Sequence, residues 1–119
     1  MNLQPEVTDY NDDLRIDKIT RRVCVKRNGT WQAVNLMPLE FVLLDVLTMN
    51  AGQVVLTTTL KDRVGGKPIN DDVLAIYMRR LREKIRPEPD HPGYIDTMRG
   101  IGYRFTGKPT GINSVCPER

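Results

Sequence analysis

Apolar and polar positions alternate from Leu14 to Leu36, with an interruption at Asn28-Gly29. Leu14-Arg15-Ile16, Val23-Cys24-Val25-Lys26 and Trp31-Gln32-Ala33-Val34 each show the two-residue period of a half-buried strand, so this stretch predicts a small antiparallel sheet. Asn-Gly between two such runs suits a type I′ hairpin, because both residues tolerate positive φ. The same turn accounts for Asn28-Gly29-Thr30, which otherwise matches a glycosylation acceptor. The preceding residues 1–12 are acidic and without periodicity, and are expected to be a flexible tail or linker.

Beyond Leu36 the period lengthens. A helix is predicted over 38–50: Pro38 suits the first turn, Glu40 lies near the positive helix end, and Gly52 stands just past the last turn. Its apolar residues Leu39, Phe41, Leu43, Leu44, Val46 and Leu47 nearly encircle it, the mark of a central helix. Val54-Val55-Leu56 reads as a short extended link, and Thr57–Val64 as a second helix with Thr57 or Thr58 available as cap. A third helix over 71–86 opens with Asp71 and Asp72 and closes with Lys84 and Arg86, both signs favourable to the helix dipole. Pro87, Pro89 and Pro92 end it. Two strands, 94–98 and 103–105, follow as a hairpin joined by Arg99-Gly100-Ile101-Gly102. The expected organisation is one domain over 13–107 between flexible tails at 1–12 and 108–119.

Charge sharpens this picture. Residues 1–17 carry five acidic side chains against Arg15, a balance of −4, which leaves +7 for the rest of a chain whose net charge is +3. No apolar run is long enough to span a bilayer and the start lacks the basic-then-apolar pattern of a signal peptide, so a cytoplasmic protein is expected, without membrane association. Two cysteines do not make a disulfide framework; Cys24 is read as a small buried residue and Cys116 as exposed. One histidine, His91, between prolines, leaves no material for a histidine triad or a Cys/His metal cluster. Gly65-Gly66-Lys67-Pro68 lacks the first glycine and the Ser/Thr of a phosphate loop. No catalytic residue, metal ligand or cofactor is assigned, and an enzyme is not expected.

The third helix carries the candidate chemistry. On a helical wheel Leu74, Tyr77, Met78, Leu81 and Ile85 cluster on one side and predict the core face. The opposite arc holds Ala75, Ile76, Arg79, Arg80, Arg82, Glu83 and Arg86. Four arginines against one glutamate exceed ordinary salt-bridge decoration, and an anchored helix with such a face suits the major groove of DNA. A guanidinium can grip guanine O6 and N7 in bidentate fashion or clamp a phosphate, while Ala75 permits close approach. The following turn displays Arg99 next to Gly100, where a narrow minor groove would attract it, with Thr97 and Tyr103 flanking the tip. The competing reading is a module for protein contact, its arginines facing an acidic partner and reading no DNA sequence.

Four segments carry a family resemblance: Leu36-Met37-Pro38-Leu39-Glu40-Phe41, Asn50-Ala51-Gly52-Gln53-Val54-Val55, Arg80-Leu81-Arg82-Glu83-Lys84-Ile85 and Ile95-Asp96-Thr97-Met98-Arg99-Gly100-Ile101-Gly102-Tyr103-Arg104-Phe105. Together they resemble the OmpR/PhoB-type effector domains of bacterial response regulators. The resemblance implies an α+β winged helix-turn-helix: a four-stranded N-terminal antiparallel sheet, three helices and a C-terminal β-hairpin wing. It further implies double-stranded DNA, in direct repeats, as partner, with a homodimer forming on it. Arg79, Arg80 and Arg82 would then meet bases or phosphates, Tyr77 a phosphate, Thr97 and Arg99 the wing-side DNA, and Tyr103 the backbone. A contact to RNA polymerase through the 65–70 loop is part of the same implication, although this loop is short and lacks the tryptophan usual there. Met37 stands where the family has a threonine, so the first helix should lack its side-chain cap, at about 1 kcal/mol of stability and no cost to binding. The receiver domain that precedes this fold in the family has no counterpart here, and residues 1–12 are expected to be a linker remnant or a true N-terminus.

Overall fold

The N-terminal alternation becomes an antiparallel sheet. In the computed structural model, which describes residues 7–64 and 68–112, it comprises β1 (Val7–Tyr10), β2 (Leu14–Asp17), β3 (Arg22–Arg27) and β4 (Thr30–Val34). The β3–β4 turn has Asn28 at φ 53° and Gly29 at φ 77°, the paired positive φ expected of Asn-Gly. Val23, Val25, Leu14 and Ile16 point into the core, and Cys24 on the alternate side is also buried. Cys116 lies outside the described residues.

Two expectations about the tails are corrected. Residues 7–10 are a strand, and Val7 and Tyr10 are buried. Beyond residue 107, β8 (Pro109–Ile112) pairs with β1, giving a five-stranded order β4-β3-β2-β1-β8 where four strands were expected. The physical reason is pairing from both sides. The Tyr10 ring packs edge-on against Phe105, centroids 5.0 Å apart, and the charge of Asp9 is met across the ladder by Arg15 at 2.7 Å. Asn11 and Asp12 both adopt positive φ and turn the chain from β1 into β2.

The helices are α1 (Pro38–Met49), α2 (Thr57–Val64) and α3 (Asp71–Lys84), close to their predicted bounds. The Met37 side chain makes no cap hydrogen bond to α1, yet half of the reciprocal arrangement survives, since the Met37 N–H donates to Glu40 Oε1 at 2.8 Å. The same oxygen accepts from Lys84 Nζ at 2.8 Å, which ties fully buried Glu40 to the last turn of α3. At the other end of α3, Asn70 is the cap, its side-chain oxygen accepting from Val73 N–H at 2.8 Å.

Val54–Leu56 is more than a link. As β5 it pairs with β7 (Gly102–Phe105), which pairs in turn with β6 (Ile95–Met98), so the wing is a three-stranded sheet ordered β5-β7-β6. Gly102 makes this possible, because a Cβ there would overlap the Val55 carbonyl oxygen. Leu74, Met78 and Leu81 from α3, with Ile85 just past its end, join Leu43, Leu44 and Leu47 from α1, Leu60 from α2 and Phe105 from the wing in one core. This core holds the apolar face of α3 and leaves its other face exposed.

Candidate nucleic-acid interface

Exposure on α3 follows the predicted wheel. Leu74, Met78 and Leu81 are buried, and Tyr77 is half-buried against the core. Ala75, Ile76, Arg79, Arg80 and Glu83 are exposed. Arg79 and Arg80 make no hydrogen bond or ion pair with any other described residue, so their donors are open to a ligand. Ile76 keeps 41% of its surface exposed, an apolar side chain set among the arginines of this face.

The wing closes over one side of this helix. Ala75, Ile76, Arg79, Arg82, Thr97 and Tyr103 line one groove of about 280 Å³. Residues separated by up to 28 positions in the chain thereby share a single concave surface, and all six belong to the set expected from sequence. At the rim, Met98 to Ile101 form a tight turn closed by the Ile101 N–H to the Met98 carbonyl at 2.9 Å. Gly100 sits in that turn at φ 76°, a conformation that suits glycine, and Arg99 beside it is exposed.

Arg82 departs from expectation. Rather than projecting freely, it donates through Nε to the Ile95 carbonyl at 3.1 Å and through Nη2 to Thr97 Oγ1 at 2.7 Å. It ties α3 to the wing and leaves fewer donors for a ligand. Tyr103 pairs with Thr97 beside the wing turn, as expected, but is only 8% exposed and lines the groove from within. Burial pushes its phenol above the ordinary value, opposed by Arg82 and reinforced by Asp71, so the hydroxyl stays protonated at neutral pH and can donate. Glu83 is not brought to this groove. It lines a separate one with Arg27, Gln32, Arg86 and Glu88, where α3 ends against the β3–β4 hairpin.

Sequence reading missed the contribution of α2. A second groove of about 500 Å³ runs between the start of α2 and the wing, lined by Thr57, Thr58, Lys61, Thr97, Ile101 and Tyr103 among others. Thr57 holds the wing tip directly, its N–H and Oγ1 both donating to the Ile101 carbonyl at 3.0 and 3.2 Å. Lys61 pairs with Asp71 at 2.6 Å across the α2–α3 junction. Sequence pattern marks the threonines only as helix caps; that they face the wing depends on β5 delivering α2 to it.

Three helices with α3 presented outward, and a hairpin folded beside it, define a winged helix-turn-helix domain. Residues 31–105 match the family described as transcriptional regulatory protein, C terminal. The chain belongs to that family, the OmpR/PhoB-type effector domains that serve as DNA-binding, transcription-regulating outputs of response regulators. It is 42% identical over 76 residues to the KDP operon transcriptional regulatory protein KdpE of Escherichia coli, covering 62% of this chain and 34% of that one. With the DNA-binding response regulator MtrA of Mycobacterium tuberculosis it shares 32% identity over 100 residues, 82% of this chain and 40% of the relative. Among solved structures, the response regulator DrrB of Thermotoga maritima superimposes with a TM-score of 0.73 at 35% identity, covering 85% of this chain and 44% of that one. The RstA DNA-binding domain of Klebsiella pneumoniae, solved in complex with the RstA box, gives a TM-score of 0.68 at 27% identity over 85% of this chain and 97% of its own. The chain thus spans about a third to two fifths of the curated relatives KdpE and MtrA. No helix among the described residues is long and apolar enough to cross a membrane.

Proposed function

We propose that the domain reads double-stranded DNA with α3 in the major groove and the wing turn at the adjacent minor groove. The observation that carries this reading is the groove shared by Arg79, Ala75 and Ile76 of α3 and Thr97 of the wing, with the guanidinium groups of Arg79 and Arg80 unengaged beside it. Arg79 and Arg80 are the candidates for bidentate contact with guanine or for phosphate clamping. Arg99, exposed at the turn, is suited to a narrow minor groove, and the Thr97 and Tyr103 hydroxyls to phosphate. The complex of the related RstA domain with its box supports DNA as the partner. Direct repeats occupied by two copies, a cytoplasmic setting, and an RNA polymerase contact through residues 65–70 complete the proposal; residues 65–67 of that loop lie outside the described residues.

Selection of bound duplexes from a random pool, followed by titration of the winner against a scrambled duplex at two salt concentrations, tests it. A recurrent motif bound more than about 10³-fold better than the scrambled duplex is expected. Replacing Arg79 and Arg80 together by alanine should weaken specific binding by about 1–3 kcal/mol for each arginine that grips a base in bidentate fashion. Unchanged affinity in the folded double variant would refute the assignment, and weak, sequence-blind binding by the parent chain would favour a protein-contact module.

A further inference from the structure

The C-terminal end of α3 has an unusual cap. The last carbonyls of a helix lack intrahelical partners, and a glycine in the left-handed conformation commonly helps to satisfy them. Here the chain runs through Ile85 at φ −99° into Arg86 and Pro87, with no such glycine. The Lys84 carbonyl at the helix end, with the Arg86 and Pro87 carbonyls just beyond it, is instead taken by a side chain from 57 to 60 residues earlier in the chain. Arg27, at the end of β3, donates through Nη2 to the Lys84 carbonyl at 3.0 Å and to the Arg86 carbonyl at 2.9 Å. Its Nε donates to the Arg86 and Pro87 carbonyls at 3.3 and 3.2 Å. A planar guanidinium can serve three carbonyls at once; an ammonium on a flexible stem is less suited to that geometry. The next residue reinforces the dock, the Asn28 N–H donating to Glu88 at 2.9 Å.

From these contacts we propose that Arg27 is a positioning residue: through it the N-terminal sheet sets the placement of α3 against the wing, and hence the specificity of DNA reading. This rests on the DNA reading proposed above. Three links lead from Arg27 to the groove. The Asn28-Gly29 turn, both residues at positive φ, closes the hairpin in which Arg27 is paired with Thr30. The turn of α3 that Arg27 grips is held on its other side by Lys84 to Glu40 at 2.8 Å. Within that same turn lies Arg82, which bridges to Thr97 of the wing at 2.7 Å. A shift of the helix end therefore displaces the α3–wing bridge that shapes the groove. Arg27 itself is half-buried with its donors engaged on carbonyls, so its influence does not require contact with DNA.

The test compares Arg27→Ala and Arg27→Lys with the parent in the full 119-residue chain, at a temperature where each is shown to be folded. Binding is titrated on the selected duplex and its scrambled control over a range of salt. Arg27→Ala is expected to bind the selected duplex about tenfold more weakly, with the scrambled affinity and the salt slope unchanged. Arg27→Lys, which keeps charge but not the fork, should fall between. Amide exchange at Ile85 and Arg86 should quicken in Arg27→Ala while the β6–β7 pairs keep the parental rate. Equal weakening on both duplexes, with the salt slope falling by about one, would make Arg27 a phosphate contact and overturn the proposal. A lower melting temperature with full specificity would also overturn it, leaving a stabilising role only. If Arg27→Ala does not fold, the same comparisons are decided on Arg27→Lys. If the parent prefers neither duplex, the DNA reading fails, and the exchange rates still decide whether Arg27 holds the helix end; unchanged rates would refute that too.

Discussion

Restoring the missing cap of α1 tests the energetic account of this fold most directly. Met37 already has the backbone of a cap residue, φ −69° and ψ 155°, and its carbonyl accepts the first helical bond from Phe41 at 3.0 Å. Pro38 has no N–H, so Leu39 and Glu40 carry the amides that a cap side chain would satisfy. A threonine at 37 supplies that acceptor, and Glu40 already returns its half by accepting from the residue-37 N–H at 2.8 Å. Met37 is 49% exposed, so replacing it also forfeits partial burial; the clean comparison is Met37→Thr against Met37→Val, which match in shape and differ in the hydroxyl. The cap hydrogen bond is worth about 1 kcal/mol. At about 2.1 cal/mol/K of unfolding entropy per residue, a 119-residue chain converts 1 kcal/mol into about 4 °C of melting temperature. Calorimetric melts should therefore place Met37→Thr about 4 °C above Met37→Val. DNA affinity should be the same in both, because residue 37 lines neither groove beside the wing and both variants keep the backbone N–H that Glu40 accepts from. Coincident melting of the two variants would refute the reasoning: the amides at the start of α1 would then be satisfied without a side-chain cap.

Two further expectations concern the wing and the β1–β2 junction. Gly100→Ala and Gly102→Ala should differ sharply: the first meets open space and costs only the strain of φ 76°, about 1–2 kcal/mol, whereas the second drives a methyl into the Val55 backbone and should detach β5. Urea denaturation of both variants checks this, and equal destabilisation would contradict the close approach of β5 and β7. Asp13 is held above the ordinary carboxylate value chiefly by burial, with His91 opposing, and one of its oxygens has no hydrogen-bond partner among the described residues. A raised folded-state value means that its favourable contribution is complete at low pH and is lost as pH rises through that value. Asp13→Asn should accordingly match the parent near pH 3 and exceed it in stability at pH 7. A constant difference across that range would show that the charge of Asp13 is not responsible.

Much of this architecture is local in origin. The two-residue period of β2 to β4, the Asn-Gly turn, the encircling apolar residues of α1 and the one-sided apolar face of α3 are properties of contiguous segments, and each element stands close to where its pattern places it. The arginine face of α3 was legible for the same reason, since helical geometry alone separates Leu74 and Met78 from Arg79 and Arg80. Strand β1 was not legible. Its four residues acquire a partner on one side from β2 and on the other from β8, about a hundred positions away, and only that pairing offsets the acidic composition around Tyr10. The link that became β5 was hidden similarly, because its pairing depends on a glycine in β7 that lets two backbones meet. The family resemblance indicated a wing beside a recognition helix, but not which arginines remain free to use it.

By itself, then, the chain's pattern of side chains determined the elements, the buried face of each and the basic surface of α3, because these depend on periodicity and charge within about 15 residues. Tertiary structure decided the uses of the individual groups: Arg82 turned to the wing, Arg27 to the end of α3, Tyr103 to the inner side of the groove, and Arg79 and Arg80 left open. Hydrogen-bond partners drawn from distant segments make that division, since a guanidinium bound to a backbone carbonyl has fewer donors to offer a ligand, and no local pattern records which carbonyl folding will bring within its reach.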